Sequence, residues 1–376
     1  MAGEFYSDYT RRETAPKRSA GMALLDGILF IGSVLVGIAM LLTLLVPFVQ
    51  PSRIFFFPLL GLIAPVIFVL TVVLALYWII RWRWIRAGLL IGLVLIGWYQ
   101  VPLFYRMQFR RAYDEVKPAY GKGTFRLVTL NVRGFYSDLG HNSADRVAEF
   151  LTETDPDIVC LQEYHPDLAH RSASFNALLE RYGAVCENGR SDAGEMIILS
   201  KFPILGAETL PDSDCSLWAD LKIGEDTVRI FSNHLHTTQI KAYDEAFLTQ
   251  RILTDSTRWA KMRSIIHRHR KNSELRAAQV DSIAPVIAAT QGRRIVCGDF
   301  NDTPVSYVYR TMAQGSKDAF SSCGTGYSHT FRGFLNALRI DYVLYSRGLE
   351  ALAYEVPDLT ASDHLPVVVQ LQKTEL

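Results

Sequence analysis

Cysteine is scarce and unpatterned in this chain. Its 376 residues include five cysteines, irregularly spaced and with no Cys-x-x-Cys pair. That excludes a structural zinc cluster and a thioredoxin-like redox motif. Cys160 and Cys297 lie inside apolar runs and read as small buried hydrophobes. Cys186, Cys215 and Cys323 are left to include a disulfide if they face an oxidising compartment. Net charge is also lacking, at a formal +1. A protein that grips nucleic acid by releasing counterions carries a basic domain, and the soluble part here is not basic. No internal repeat or low-complexity tract is present.

The small net charge hides a split. Residues 1–111 carry eleven Lys and Arg against four Asp and Glu, and the remainder carries 28 against 34. A basic, very apolar front therefore precedes a mildly acidic body. Three apolar runs, about 27–49, 54–80 and 87–105, are each near the roughly 20 residues that cross a bilayer. Short links at 50–53 and 81–86 make them hairpins that cross and return. A cleaved signal peptide does not fit, because the first run is too long and two more follow it. Polar residues within the runs amount to little beyond Ser33, Thr43, Thr71 and Gln100, which excludes an ion or proton pathway. Basic residues set orientation. Arg11, Arg12, Lys17 and Arg18 in the tail, and Arg81, Arg83 and Arg86 in the second link, place both on the cytoplasmic side. Three crossings then make the body extracytoplasmic, although Arg106, Arg110 and Arg111 after the third run count against this orientation. The expected organisation is a membrane domain at 1–107, a Pro- and Gly-containing linker at 108–123, and a catalytic domain at 124–376.

From Phe125 the pattern changes to short strands alternating with helices. Strands are expected at 126–131, 158–162, 196–200, 217–223, 228–234, 294–297, 339–345 and 365–371. Helices are expected at 144–152, with Asn142 or Ser143 as its N-cap, and at 243–270 and 273–290. The basic cluster at 268–271 reads as a solvated helix end. Many strands with few helices indicate two stacked sheets flanked by helices.

Polar residues recur at one kind of place, the end of an apolar strand. Asn131, Glu163, Asn233 with His234 and His236, Asp299 with Asn301, Asp341, and Asp363 with His364 form six such stations. Each alone reads as a turn former or a hydrogen-bonded histidine. Strands that run the same way into one rim would bring their ends together. The set offers hard oxygen ligands and no thiolates, a combination that selects Mg²⁺, Mn²⁺ or Ca²⁺ over zinc. Such donors suit charge developing on a phosphoryl group.

The motifs Thr129-Leu130-Asn131-Val132-Arg133, Leu161-Gln162-Glu163, Asn233-His234-Leu235, Gly298-Asp299-Phe300-Asn301-Asp302, Ile340-Asp341-Tyr342 and Ser362-Asp363-His364-Leu365-Pro366 stand in a telling order. In that order, over about residues 124–372, the chain resembles the endonuclease/exonuclease/phosphatase superfamily. The family includes pancreatic deoxyribonuclease, abasic-site endonucleases, neutral sphingomyelinases and inositol polyphosphate 5-phosphatases. The resemblance implies a DNase I-like four-layered α/β sandwich. It implies Glu163 as the principal metal ligand, with Asn131 beside it and Asp363 as a second ligand. Asp299 would position or activate the attacking water, and Asn301 and His234 would hold phosphate oxygens. His364 would contact the scissile phosphate, its tautomer fixed by Asp341. Asn233, Arg133 and Phe331 are expected at the substrate; Tyr327 is the alternative aromatic. His236 either joins them or is an exposed strand-end histidine. Asp302 reads as a turn residue.

The activity implied is hydrolysis of a phosphodiester or phosphomonoester with Mg²⁺, Mn²⁺ being the alternative metal. The enzyme would be a multi-pass protein of the cytoplasmic membrane. Its substrate would be a lipid headgroup, a nucleic acid or a small metabolite, and no protein partner is implied. The competing reading is an inactive membrane receptor or scaffold on the same fold. Such proteins usually lose a metal or phosphate residue, and none is missing here.

Overall fold

The computed structural model describes residues 20–107, 123–136, 141–187, 195–210, 213–237, 255–333 and 336–375. The chain opens with helices α1 (Ala20–Leu45), α2 (Phe57–Ile80) and α3 (Trp84–Gly97). α1 is prolonged by the 3-10 turn Val46–Phe48, and α3 by turns that run to Phe104. Among the described residues, three helices are thus long and apolar enough to cross a membrane, at Ala20–Phe48, Phe57–Ile80 and Trp84–Phe104. Pro58 sits in the first turn of α2, where its missing N–H costs nothing. The expected linker lies outside the described residues except for Gly123.

Two six-stranded sheets follow. The first contains β1 (Thr124–Asn131), β2 (Ile158–Tyr164), β3 (Gly183–Glu187) and β4 (Glu195–Ser200). The second contains β5 (Ile204–Thr209), β6 (Ser216–Ile223), β7 (Asp226–His234), β8 (Arg293–Asp299) and β9 (Asp341–Tyr345). β10 (Leu349–Glu355) and β11 (Val367–Lys373) return to the first sheet, giving the order β10-β11-β1-β2-β4-β3. The second sheet runs from the short strand Lys317–Asp318 through β9-β8-β7-β6-β5. Among the described residues, only β1 with β2 and β7 with β8 pair in parallel. Those four strands therefore end on one rim.

Four layers result. Phe125, Leu127, Ile158 and Cys160 face Ile230, Ile295 and Cys297 between the sheets. Val128, Leu130, Val159 and Leu161 face outward, under α4 (Ala144–Thr154) and α5 (Ala173–Leu179). Phe231, Val296 and Leu344 face outward from the second sheet, under α6 (Asp255–Ala289) and α7 (Tyr307–Met312). Burial on both faces is why these strands read as unbroken apolar runs. Cys215 and Cys323 are free thiols, as are Cys160 and Cys297.

Several local expectations need correction. The helices expected at 243–270 and 273–290 are one helix, α6, across Lys271 and Asn272, where no Gly or Pro interrupts it; residues 243–254 lie outside the described set. The basic cluster therefore sits mid-helix, and His269 within it is buried. The cap of α4 comes from Asn142, whose Oδ1 accepts the Ala144 N–H at 2.9 Å, while Ser143 makes no cap bond. β3, β5 and β10 were not expected. They contain Gly183, Gly206 with Ala207, and an Ala- and Glu-rich stretch, all weak strand formers.

Candidate active site

The rim brings the other five stations together around Asp299, whose side chain is almost fully buried. Its Oδ2 accepts from Asn131 Nδ2 at 3.1 Å and from Asn301 Nδ2 at 3.0 Å. Its Oδ1 accepts the backbone N–H of Asn301 at 2.8 Å. His364 Nε2 stands 3.7 Å from Oδ2, and His234 Nε2 4.0 Å from it. Burial pushes the Asp299 carboxyl above the usual range; His364 opposes the shift and Asp341 adds to it.

Local backbone aims these groups. Glu163 has φ of 52° at a register shift between β2 and β4, a bulge that turns its side chain toward the rim. There Glu163 Oε1 accepts from Asn131 Nδ2 at 2.9 Å and lies 3.4 Å from His234 Nε2. Asn301 (φ 52°) and Arg133 (φ 48°) share the left-handed region, where side-chain-bearing residues persist only when their surroundings hold them. At Gly298, φ is +116° and a Cβ would come within 2.0 Å of Asn233 O. Only glycine fits that crossing of β7 and β8.

His364 and Asp341 form a tight couple, with Nδ1 3.0 Å from Oδ2. Burial works against a charged ring. The carboxylates of Asp341 and Asp299 outweigh it and lift His364 to about 10. Thr330 braces the couple: its Oγ1 accepts the N–H of Asp341 at 3.1 Å, and its carbonyl accepts the N–H of Leu365 at 2.7 Å. Ser362 Oγ donates to Asn131 O at 2.7 Å and accepts the His364 N–H at 3.1 Å, tying that station to β1. Beneath the rim, Gln162 Nε2 donates to Thr129 Oγ1 and Ser232 Oγ, both at 3.1 Å, and so joins the two sheets.

The outer positions divide. Phe331 packs against the His364 ring, centroids 5.1 Å apart and planes tilted by 56°, whereas Tyr327 lies in a short strand paired with Tyr105. Arg133 Nε lies 3.5 Å from Asp363 Oδ2. Asn233 is turned inward. It is fully buried, and its amide donates to Phe231 O and Cys297 O because β7 turns it inward at the Gly298 crossing. His236 stands apart from the cluster. Its backbone N–H donates to Gln279 Oε1, its carbonyl accepts from Arg276, and burial lowers the ring's pKa. Asp302 is more than a turn residue. Its Oδ2 lies 3.5 Å from Nε of Arg276, which is fully buried on α6 and also donates to Ser273 Oγ at 3.0 Å. Sequence reasoning missed Arg276. The signal was an arginine on the same helical face as Val280, Ile283 and Ile287.

Among the described residues, Asp299, Asp341 and His364 present ligand atoms within 4.8 Å of one another, close enough to hold a metal ion. Asp341 and His364 are already hydrogen-bonded to each other and Asp299 accepts three hydrogen bonds, which leaves Glu163 and Asp363 as the freer carboxylates. Two observations fit a divalent cation with phosphate oxygens. The converging donors are hard oxygens. The buried Nε2 of His234 also has no hydrogen-bond partner while pointing between Glu163 and Asp299. Asn131 presents its amide nitrogen to the carboxylates, and its Oδ1 accepts the Arg133 N–H at 2.9 Å. Ligation through oxygen would require that amide to turn.

The endonuclease/exonuclease/phosphatase family model matches residues 128–364, which include all six stations. The chain belongs to this family. Its members are hydrolases of phosphoester bonds. A second family, described as a domain of unknown function, matches residues 26–104. No curated protein matches the chain. Solved structures with a similar fold include a family member from Bacteroides vulgatus, at 20% identity and TM-score 0.46, covering 67% of this chain and 100% of that one. The human Nocturnin catalytic domain with bound sulfate matches at 17% and 0.46, covering 67% and 95%. A mannosyl-6-phosphatase from Bacteroides thetaiotaomicron matches at 18% and 0.48, covering 66% and 99%.

Proposed function

We propose that this family member is a membrane-anchored, divalent-metal-dependent phosphoesterase that directs water onto phosphorus. The observation that carries the reading is the buried Asp299 carboxylate, ringed by Asn131, Asn301, His234 and His364 within 4.0 Å. Asp299 accepts the proton of the attacking water as its oxygen bonds to phosphorus and the ester oxygen leaves. Both amide hydrogens of Asn301 are engaged, by Asp299 and by Leu235 O, so its role is to hold the Asp299 carboxylate in place. His364, protonated at neutral pH, donates through Nε2 to the charge growing on the phosphoryl oxygens. Asp341 fixes its tautomer from the Nδ1 side. His234 Nε2 offers a further donor, and Arg133 and Phe331 flank the entrance. Glu163, Asn131 and Asp363 would hold the cation, Mg²⁺ or Mn²⁺. When bound, it would supply positive charge to the phosphoryl group.

The proposed organisation is a multi-pass membrane domain (1–107), a linker (108–123) and a catalytic domain (124–376). The N-terminus is cytoplasmic and the catalytic domain lies outside the cytoplasmic membrane. The support is the basic tail and second link, together with the docking of the domain on the opposite ends of the spans. The test is hydrolysis of bis-(p-nitrophenyl) phosphate and p-nitrophenyl phosphate by the full chain in detergent, with Mg²⁺, Mn²⁺ or EDTA, beside His364→Ala. Metal-dependent turnover lost in the variant is expected. Turnover insensitive to EDTA, or none from folded protein, overturns the reading.

A further inference from the structure

The span ends meet the catalytic domain at the rim that carries the site. Thr303, two residues beyond Asn301, donates through Oγ1 to Gly61 O of α2 at 3.2 Å. On the other side of the rim, Arg339, two residues before Asp341, donates to Leu103 O at 2.9 Å. Ser328, close to the Phe331 that packs against His364, donates its N–H to Phe104 O at 3.4 Å. The opposite end of the sandwich, at the β6–β7 turn and the end of β11, has no bond to the spans among the described residues.

The depth of this junction follows from helix geometry. α2 has 24 residues, or about 36 Å of helix, against about 30 Å of hydrocarbon. Centred on the hydrocarbon it overhangs by about 3 Å at each end, so its first residues stand in the headgroup layer and Gly61 lies just inside the boundary. The segment from Asp302 to Val305 is thus at headgroup level, and at most about 7 Å of chain separates Thr303 from Asn301. Exposed Phe48 and Phe55 mark the same plane, as interfacial aromatics do. Arg310 lies 4.2 Å over the Phe48 ring and Arg270 5.7 Å from the Phe55 ring, cations where anionic headgroups sit.

Resting on the phosphoesterase reading, we infer that the substrate is a phosphoester headgroup of a lipid in the leaflet at these span ends, cleaved while the lipid remains in the bilayer. A polyanion is disfavoured by the excess of acids beyond residue 111.

The test uses the full chain reconstituted in phosphatidylcholine vesicles doped in turn with phosphatidylglycerol, phosphatidic acid or phosphatidylinositol 4-phosphate. The same headgroups freed of acyl chains, and bis-(p-nitrophenyl) phosphate, serve as soluble arms. One vesicle lipid should be turned over more than about tenfold faster than its soluble headgroup, since enzyme and substrate share a surface. A Cβ at Gly61 would lie 3.2 Å from both Val305 O and Val46 Cγ1. Gly61→Leu should therefore lift the rim, abolishing the vesicle advantage while sparing the soluble diester. Equal rates on vesicle and soluble headgroup, or an unchanged vesicle rate in Gly61→Leu, overturn the inference. So does turnover of the soluble diester with none of the lipids. Inactivity toward every arm overturns the phosphoesterase reading itself.

Discussion

The two ends of the sandwich use carboxylates in opposite ways. At the end away from the spans, Asp226 accepts from Lys373 Nζ at 2.7 Å and from Arg293 at 2.9 Å. Those cations, Lys373 foremost, hold its carboxyl below the usual range. At the rim, Asp299 has amides and imidazoles as neighbours, a second buried acid in Asp341, and almost no access to water. Its carboxyl is held above the usual range. A carboxylate given full cations stays ionised and fastens strands together. One sealed from water beside a second acid is poised to take a proton, the condition a general base needs.

The sharpest way to break this comparison is Asp299→Asn, which keeps the shape and removes the proton acceptor. Turnover of a soluble diester should fall on the order of a thousandfold with the circular dichroism spectrum unchanged. A loss below about tenfold would take the base role from Asp299. The pH profile comes next. Activity needs Asp299 ionised and His364 protonated, so the acid limb should lie above the ordinary aspartate value and the alkaline limb near 10. Burial alone would lower His364, so removing the carboxylate in Asp341→Asn should bring the alkaline limb down. A limb that stays put belongs to another group. The same shift carries a stability signature. Because the folded-state value of His364 is raised above 6.5, its contribution is full below that pH and is lost as pH rises through about 10. The stability gap between the native chain and His364→Gln, read by denaturant titration, should narrow over that window.

Arg276→Met tests the support beneath the rim. It strands the buried Asp302 carboxylate and frees the His236 carbonyl. It should cost about 3 kcal/mol, read as a lower denaturation midpoint. The smallest effect is expected at the far end. Asp226→Asn should leave turnover unchanged and lower the melting temperature by no more than about two degrees. A larger loss of activity there would mean that the two ends are coupled.

The rim was largely legible because strands buried on both faces leave apolar runs, and each run ends where Asn131, Glu163, His234 or Asp299 appears. The layered fold was legible for the same reason. What the sequence could not show depends on partners far along the chain. Asn233 resembles its neighbours until the Gly298 crossing buries it. Ser362 and Thr330 look like loop hydroxyls, yet they tie His364 to Asn131 and brace Asp341. Arg276 has meaning only once α6 lies against Asp302. Docking of Gly61 on Thr303 joins residues 242 positions apart, and no local pattern encodes it.

The most direct test of the central claim is to run hydrolysis in water enriched in oxygen-18 and weigh both products. Attack on phosphorus by a water that Asp299 deprotonates predicts one heavy oxygen on the phosphoryl product and none on the alcohol. Label on the alcohol, or on neither product, would contradict the account.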